Sequence, residues 1–145
     1  MADVHDKKTR SFNMSRIKGK DTKPEMLVRK YLFSNGFRYK LHDKKIAGKP
    51  DLVFPKLKTV IFIHGCYWHG HENCKYFVPP KTRTDWWLDK IGKNKLRDSE
   101  NSSKLKNEGW EVIIVFECEL KPAVREKTLE NLQKILTSIS NEKKN

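Results

Sequence analysis

The first regular pattern of apolar and polar positions begins shortly after residue 20. Thr22-Lys23-Pro24-Glu25 has the Ser/Thr-x-x-Glu pattern of a helix N-terminus, with proline in the first turn. Apolar side chains recur as far as Phe33, and Asn35-Gly36 is typical of a helix C-terminus. The pattern therefore predicts a helix between Thr22 and Asn35.

Three apolar runs and a weaker alternation at residues 37–41 favour β-strands. The runs are residues 51–54, 59–64 and 110–116. Residues 84–108 have a helical pattern, with an interruption expected near 98–103, and residues 124–139 are amphipathic. The order helix, three strands, helix, strand, helix predicts one mixed α/β domain, with a central sheet flanked by helices.

The net charge of the chain predicts a class of binding partner. The 145 residues carry 31 Lys and Arg against 18 Asp and Glu, a formal net charge of +13. Residues 1–50 hold 14 basic and 5 acidic side chains, and residues 75–110 hold 9 and 5. A polyanion is the expected partner, and nucleic acid is the commonest one. The alternative is a solvated surface with surplus lysine.

Periodicity and charge also predict the domain organisation. Residues 1–20 lack sustained periodicity and carry six Lys and Arg, so we expect a basic arm that contacts nucleic acid. Residues 21–140 form the predicted domain, and residues 141–145 a frayed tail. No apolar run approaches the roughly 20 residues that cross a membrane. With no signal peptide evident, we expect a cytoplasmic protein without a membrane partner.

The segment after residue 64 is irregular and rich in metal-binding side chains. Cys66 and Cys74 enclose two histidines, His69 and His71, either of which could join them by spacing alone. Cys118 follows the strand predicted at 110–116, and a parallel neighbour at 59–64 would bring it beside this loop. Three thiolates and one imidazole are typical of a closed structural Zn²⁺ site. The alternative is three unrelated buried cysteines.

A carboxylate at the start of one strand suggests a second metal. Asp51 begins the predicted strand 51–54, and the next strand ends at Ile63-His64. Magnesium-dependent nucleases often place an aspartate there, because hard oxygen ligands suit Mg²⁺ and the ion bridges to the substrate phosphate. The usual Glu-x-Lys of the second strand is absent, since Phe62 and His64 occupy those positions. The alternative for Asp51 is an ordinary strand-start carboxylate.

Five segments together resemble the very-short-patch repair endonucleases. They are MADVHDKKTRSFNM, GKPDLVF, VIFIHGCYWHGHENC, TRTDWWLDKIGKN and GWEVIIVFEC. The resemblance is collinear over roughly residues 1–120, and it implies a restriction-endonuclease-like fold with one structural zinc. It also implies a bacterial Mg²⁺-dependent enzyme that nicks one strand 5′ of the mispaired thymine in a T·G mismatch. Such mismatches arise by deamination of 5-methylcytosine.

The resemblance carries catalytic roles onto matching positions. Asp51 matches the magnesium-binding aspartate, and Ile63 the residue whose backbone carbonyl binds the same metal. His69 matches the general base, while His64 and Glu25 match supporting residues; a capping role for Glu25 is the alternative. The resemblance also assigns a zinc site, whose ligands are Cys66, His71, Cys74 and Cys118. The loop between the first two zinc cysteines is one residue longer than in the best-known family members.

Further positions match DNA-contacting residues of the family. These are Met14 on the arm, Tyr67, Trp68 and Trp87 as a wedge between bases, and Lys90 and Asn94 as the mismatch-reading pair. Lys90 and Asn94 are four residues apart and so share a helix face, which could also be an ordinary solvated one. For Trp86 we expect a place in the core.

Two other functions compete with the mismatch endonuclease. A zinc-stabilised DNA-binding module explains the charge and the cysteines but leaves Asp51, His64 and His69 without a role. A restriction or unspecific nuclease on the same fold would cut perfectly paired DNA. For the endonuclease we expect a monomer that associates with the nucleoid, because one off-centre mismatch has no two-fold symmetry, and repair proteins that act after the nick.

Overall fold

The computed structural model describes residues 22–66, 69–71, 74–75 and 82–144. Helix α1 (Lys23–Ser34) lies where the sequence predicts it. The Thr22 side chain accepts a hydrogen bond from the Glu25 backbone N–H at 3.4 Å, which satisfies one free donor of the first turn. Asn35 ends the helix, and its backbone N–H donates to the Leu32 carbonyl.

Four strands form one mixed sheet in the order β1-β2-β3-β4. Their bounds are Lys40–Leu41 (β1), Leu52–Phe54 (β2), Thr59–His64 (β3) and Glu111–Phe116 (β4). The two pairings among β1, β2 and β3 are antiparallel, whereas β3 and β4 are parallel and place His64 opposite Phe116. Strand β3 is central and almost fully buried, as its β-branched composition predicts. The predicted strand at 37–41 is reduced to two residues.

The second helix is uninterrupted, and the third extends further than the sequence pattern indicates. Helix α2 (Thr84–Asn107) is continuous, so the interruption expected near residues 98–103 is wrong. Its polar residues there face the solvent or a cleft and do not break the backbone ladder. Helix α3 (Arg125–Lys144) includes most of the segment 141–145 that we expected to fray. No helix in the described part of the chain is long and apolar enough to cross a membrane.

The helices cover both faces of the sheet, as predicted. On one face, α1 and α3 pack with alternate strand residues around a core that includes Val28, Ile61 and Leu132. On the other face, Leu105 of α2 packs against Val60 and its neighbours. Because side chains alternate along β3, this single strand supplies both cores.

Two features of the connections determine where a site can form. The parallel crossover from β3 to β4 contains the Cys/His loop and α2, so the carboxyl ends of β3 and β4 meet at one sheet edge. A 3-10 turn (Glu117–Leu120) follows β4 and carries Cys118 back towards that loop. The polar residues described next all gather at this edge.

Candidate active site and metal centre

The Asp51 side chain lies beyond the end of the β2–β3 hairpin. Its Oδ2 accepts a hydrogen bond from the Ile63 backbone N–H at 2.7 Å, and the Asp51 N–H donates to the Ile61 carbonyl. In an extended strand the N–H and C=O of one residue point the same way, so the Ile63 carbonyl also points towards the Asp51 side. Burial raises the pKa of Asp51 from 3.8 to about 6. The arrangement offers two hard oxygen donors of the kind that Mg²⁺ binds.

Glu25 enters this site from α1. It is only 1% exposed, and its carboxylate contacts Asp51 as well as Arg29 (3.1 Å) and His42 (3.0 Å). The Glu25 backbone takes part in the N-cap with Thr22, while its side chain faces the sheet edge. The structure therefore combines the two alternatives for Glu25, a helix start and a place beside Asp51. Glu25, His42 and Asp51 offer ligand atoms within 4.8 Å of one another.

Two histidines stack beside the aspartate. The rings of His64 and His69 are parallel, with centroids 3.8 Å apart, and the His69 Nδ1 lies 2.6 Å from Asp98 Oδ2 on α2. An ionised carboxylate can only accept, so Nδ1 carries the hydrogen and Nε2 of His69 becomes the basic nitrogen. Burial and the neighbouring His69 lower the pKa of His64 to about 4, so its ring is neutral near pH 7. The arrangement can therefore hold and orient one proton acceptor.

These groups open into a single cleft of about 180 Å³. Asp51 and Ile63 line one side, and the two histidines and Asp98 line another. The remaining walls come from the loop before Asp51, from Phe62, and from α2; they include Gly48, Lys49, Asn101 and Ser102. A carboxylate, a backbone carbonyl and an imidazole in one cleft are the components of metal-assisted hydrolysis.

A Cys₃His cluster lies next to this cleft and suggests zinc. Cys66, His71, Cys74 and Cys118 offer ligand atoms within 4.8 Å of one another, and Cys118 Sγ lies 3.4 Å from His71 Nδ1. Tetrahedral zinc with its usual bond lengths separates ligand atoms by about 3.5 Å, so the donor set fits. Burial and the neighbouring thiols raise the pKa of Cys118 to about 12, so its thiolate is unfavourable here without a cation. A bound divalent cation would stabilise that thiolate. Of the two histidines that spacing allowed, the structure groups His71 with the thiols.

A glycine packs the metal loop against α2. Gly70 is buried with φ +57, and a Cβ built on it would lie 2.8 Å from Ile91 Cγ2 and 2.7 Å from Lys95 Cδ. Any side chain at this position would therefore move the loop away from the helix. Since His69 precedes Gly70, this close approach places His69 beside the helix that carries Asp98.

The residues expected to contact DNA lie along α2 as far as the structure describes them. Lys90 is exposed and Asn94 half-buried, one helical turn apart. Trp87 is half-buried, whereas Trp86 is 46% exposed, with Arg83 and Lys90 near its ring. The expected core position of Trp86 is wrong, because α2 presents this turn to solvent. Met14, Tyr67, Trp68 and the arm 1–20 lie outside the described residues.

Sequence reasoning missed two side chains of the site. Asp98 contacts His69 across 29 residues of chain, and His42 contacts Glu25 across 17. Helix α2 carries other acidic residues, including Asp85 and Asp89, and no local pattern distinguishes Asp98 from them. The one sequence signal for Asp98 is its spacing: it continues the series Lys90, Asn94, in which residues four apart share one face of α2.

Comparisons with known proteins identify the family of this chain. The family model for DNA mismatch endonuclease Vsr matches residues 2–75. The type II nicking enzyme V.NmeAIP of Neisseria meningitidis is 54% identical over 121 residues, covering 83% of this chain and 86% of that protein. DNA mismatch endonuclease Vsr of Escherichia coli is 47% identical over 121 residues, 83% of this chain and 77% of that protein. The type II nicking enzyme V.XorIIP of Xanthomonas oryzae is 43% identical over 120 residues, covering 83% of this chain and 88% of that protein. The chain therefore belongs to the Vsr family of DNA mismatch endonucleases and is a strand-specific DNA nicking endonuclease.

Proposed function

We propose that this protein nicks one DNA strand on the 5′ side of the mispaired thymine in a T·G mismatch left by 5-methylcytosine deamination. One observation carries the proposal: Asp51, the Ile63 backbone and the His69–Asp98 pair line the same small cleft. The family match supplies the substrate class, since one of the relatives is named a mismatch endonuclease and others are named nicking enzymes. A zinc-stabilised binding module without catalysis would leave this cleft without a function.

His69 is the proposed general base. Its Nε2 takes a proton from the attacking water, while the Asp98 carboxylate holds Nδ1–H at 2.6 Å and stabilises the imidazolium that forms. The parallel ring of His64 limits how far His69 can rotate. Because the pKa of His64 is about 4, the His64 ring places no positive charge beside the His69 imidazolium. The water oxygen then forms a bond to phosphorus as the bond to the leaving oxygen breaks.

Asp51 and the Ile63 carbonyl would hold the magnesium ion. Bound there, Mg²⁺ supplies charge neutralisation at the scissile phosphate and its leaving oxygen. Glu25 and His42 act behind Asp51. The contact with His42 holds the Glu25 carboxylate close to Asp51. Because the pKa of Asp51 is about 6, its carboxylate is ionised and able to bind a cation at neutral pH.

Helix α2 joins recognition to catalysis. Lys90, Asn94 and Asp98 are spaced four residues apart, so they follow one another along one face. At 1.5 Å per residue, Lys90 lies about 12 Å from Asp98 along the helix axis. A lysine donates and an asparagine both donates and accepts, which suits base edges in the major groove. We assign the wedge to Trp87 with Tyr67 and Trp68, and the opposite insertion to Met14 on the basic arm.

The zinc cluster is proposed to be structural. Four protein ligands leave no open position for water, and the loop they would fix carries His69 between Cys66 and His71. Zinc at Cys66, His71, Cys74 and Cys118 would therefore act on catalysis through the position of His69 and of the two aromatic residues 67 and 68. The proposal predicts a folding defect, more than a chemical one, when a ligand is removed.

The proposed function is tested on matched duplexes. A T·G duplex, its C·G parent and a T·A duplex of the same sequence are labelled on each strand and incubated with the protein and Mg²⁺. We expect one nick, 5′ of the mispaired thymine, and none in the paired duplexes. Cleavage of the paired duplexes at the same rate would instead make the protein a nuclease for paired DNA. Binding without any nick would make it a DNA-binding module.

A further inference from the structure

No side chain of the proposed catalytic cleft has yet been assigned to the negative charge of the substrate phosphate. The described walls of this cleft carry two carboxylates, Asp51 and Asp98, and two imidazoles, His64 and His69. The His64 ring is neutral near pH 7. A phosphodiester entering this cleft brings further negative charge. Among the described residues that line the cleft, Lys49 is the one Lys or Arg side chain.

The strand that usually supplies a lysine in magnesium-dependent nucleases does not do so here. Strand β3 reads Thr-Val-Ile-Phe-Ile-His from Thr59 to His64, with no basic side chain other than the histidine. Lys49 comes from a different element, the loop that precedes Asp51. Its chain position, two residues before the proposed magnesium-binding carboxylate, places a lysine in the wall of the cleft.

The backbone at Lys49 is held in an unusual conformation. Lys49 has φ +51, a left-handed value that costs energy for any residue with a Cβ, and it precedes Pro50, which favours extended backbone. Its N–H donates to the Ile46 carbonyl at 3.0 Å. The preceding Gly48 also has positive φ, and a Cβ there would lie 3.0 Å from the Phe62 ring. Two successive residues with positive φ therefore shape the turn that places residue 49 at the cleft.

The Lys49 ammonium is available for a ligand. The side chain is exposed, and it makes no ion pair with any residue in the described part of the chain. By contrast, the buried Glu25 carboxylate nearby already contacts Arg29 and His42. An exposed, strained lysine at the rim of an otherwise acidic cleft is not explained by packing or by an internal salt bridge.

We propose that Lys49 binds the scissile phosphate and stabilises the negative charge that develops on it during cleavage. The inference rests on the proposed function, because it takes the phosphate 5′ of the mispaired thymine as the one that enters the cleft. Lys49 thus replaces, from the loop before Asp51, the cation that β3 lacks. A flexible ammonium on a fixed backbone turn reaches a non-bridging oxygen without a bidentate geometry.

The first test compares three variants in single-turnover nicking of the T·G duplex. Lys49→Asn removes the charge but tolerates positive φ, so it should unfold at the same or a higher urea concentration than the wild type. We expect it to nick about 100-fold more slowly. Lys49→Arg should stay within about 5-fold of the wild type, because a guanidinium also binds phosphate. Lys44→Asn, which removes an exposed charge from the same loop outside the cleft, should leave the rate within about 2-fold.

These rates separate the two proposals. A wild-type protein that nicks neither strand of the T·G duplex contradicts the proposed function. If the wild type nicks the mismatch and Lys49→Asn nicks it equally fast, the role of Lys49 is wrong. Equal slowing by Lys44→Asn and Lys49→Asn would also overturn it, since the effect would then belong to net charge.

The second test locates the phosphate by binding alone. In buffer without Mg²⁺, affinity is measured for a T·G duplex with a neutral methylphosphonate 5′ of the thymine, and for one with the same group two phosphates away. For the wild type we expect about 10-fold weaker binding with the first substitution; for Lys49→Asn we expect less than about 2-fold. The distant substitution should weaken both proteins equally. The same 10-fold loss in both proteins at the first position would show that Lys49 does not contact that phosphate.

Discussion

Replacing Asp51 with asparagine should stabilise the protein while it abolishes nicking. The Asp51 carboxylate is partly buried against β3 and beside Glu25, and its pKa rises from 3.8 to about 6. Asn can keep the acceptor for the Ile63 N–H and donate an amide hydrogen to Glu25, as the protonated carboxyl does. The substitution therefore removes a costly charge and few contacts.

The magnitude follows from the pKa difference. Each pKa unit corresponds to about 1.4 kcal/mol, so two units place the upper value near 3 kcal/mol. Because Asp51 remains open to the cleft, we expect Asp51→Asn to raise the free energy of unfolding by about 1–3 kcal/mol above pH 7. Between the unfolded and folded pKa values the folded wild type binds more protons than the unfolded chain, so its stability falls as pH rises. The gain should therefore halve near pH 5 and vanish below about pH 4.

Urea unfolding followed by tryptophan fluorescence measures this gain at several pH values in buffer without added Mg²⁺. Adding Mg²⁺ should then stabilise the wild type, by about 2.7 kcal/mol at 100 times the dissociation constant, and leave Asp51→Asn unchanged. The control is Asp89→Asn, an exposed carboxylate 3.1 Å from Lys93, for which we expect less than about 0.5 kcal/mol at any pH. A variant less stable than the wild type above pH 7, or a gain that does not depend on pH, would refute the reasoning.

Three further predictions concern the base, the metal loop and the zinc cluster. His69→Ala should slow single-turnover nicking by about 10²–10⁴-fold, while Asp98→Asn, which leaves the imidazole in place, should slow it less. Gly70→Ala should lower the melting temperature and slow nicking, because its Cβ would overlap α2, whereas Gly92→Ala, with open space around it, should stabilise the helix by about 1 kcal/mol. Elemental analysis should find one zinc per chain, and Cys118→Ser should lose the metal together with cooperative unfolding; a zinc-free, fully folded wild type would contradict the site.

Local rules account for the elements that the sequence predicts well. The start of α1 depends on a Thr22 side chain that bonds a backbone N–H three residues away, and its end on Asn35. The limits of β3 follow from a run of β-branched and apolar residues. Even the approach of Cys118 to the metal loop follows from one topological rule, the shared edge of parallel strand ends. In each case the signal lies within a few residues or in the order of elements.

Local sequence patterns did not decide which polar groups meet. The family resemblance implied His71 for the zinc site and His69 for the base, and the contact of His69 with Asp98 came only from the tertiary structure. Spacing could not choose between His69 and His71 as the partner of the thiols. In the structure His71 lies with the cysteines, and His69, next to the closely packed Gly70, contacts Asp98 on α2. The exposure of Trp86 likewise depends on which face α2 turns to the sheet, which its mixed composition does not specify. Polar side chains on a helix surface look alike in sequence, because each interacts mainly with water until packing brings it to a partner. The sequence thus determines the sheet, the charge and the metal-binding residue types, and the packing of α2 against the sheet edge determines the catalytic pairs.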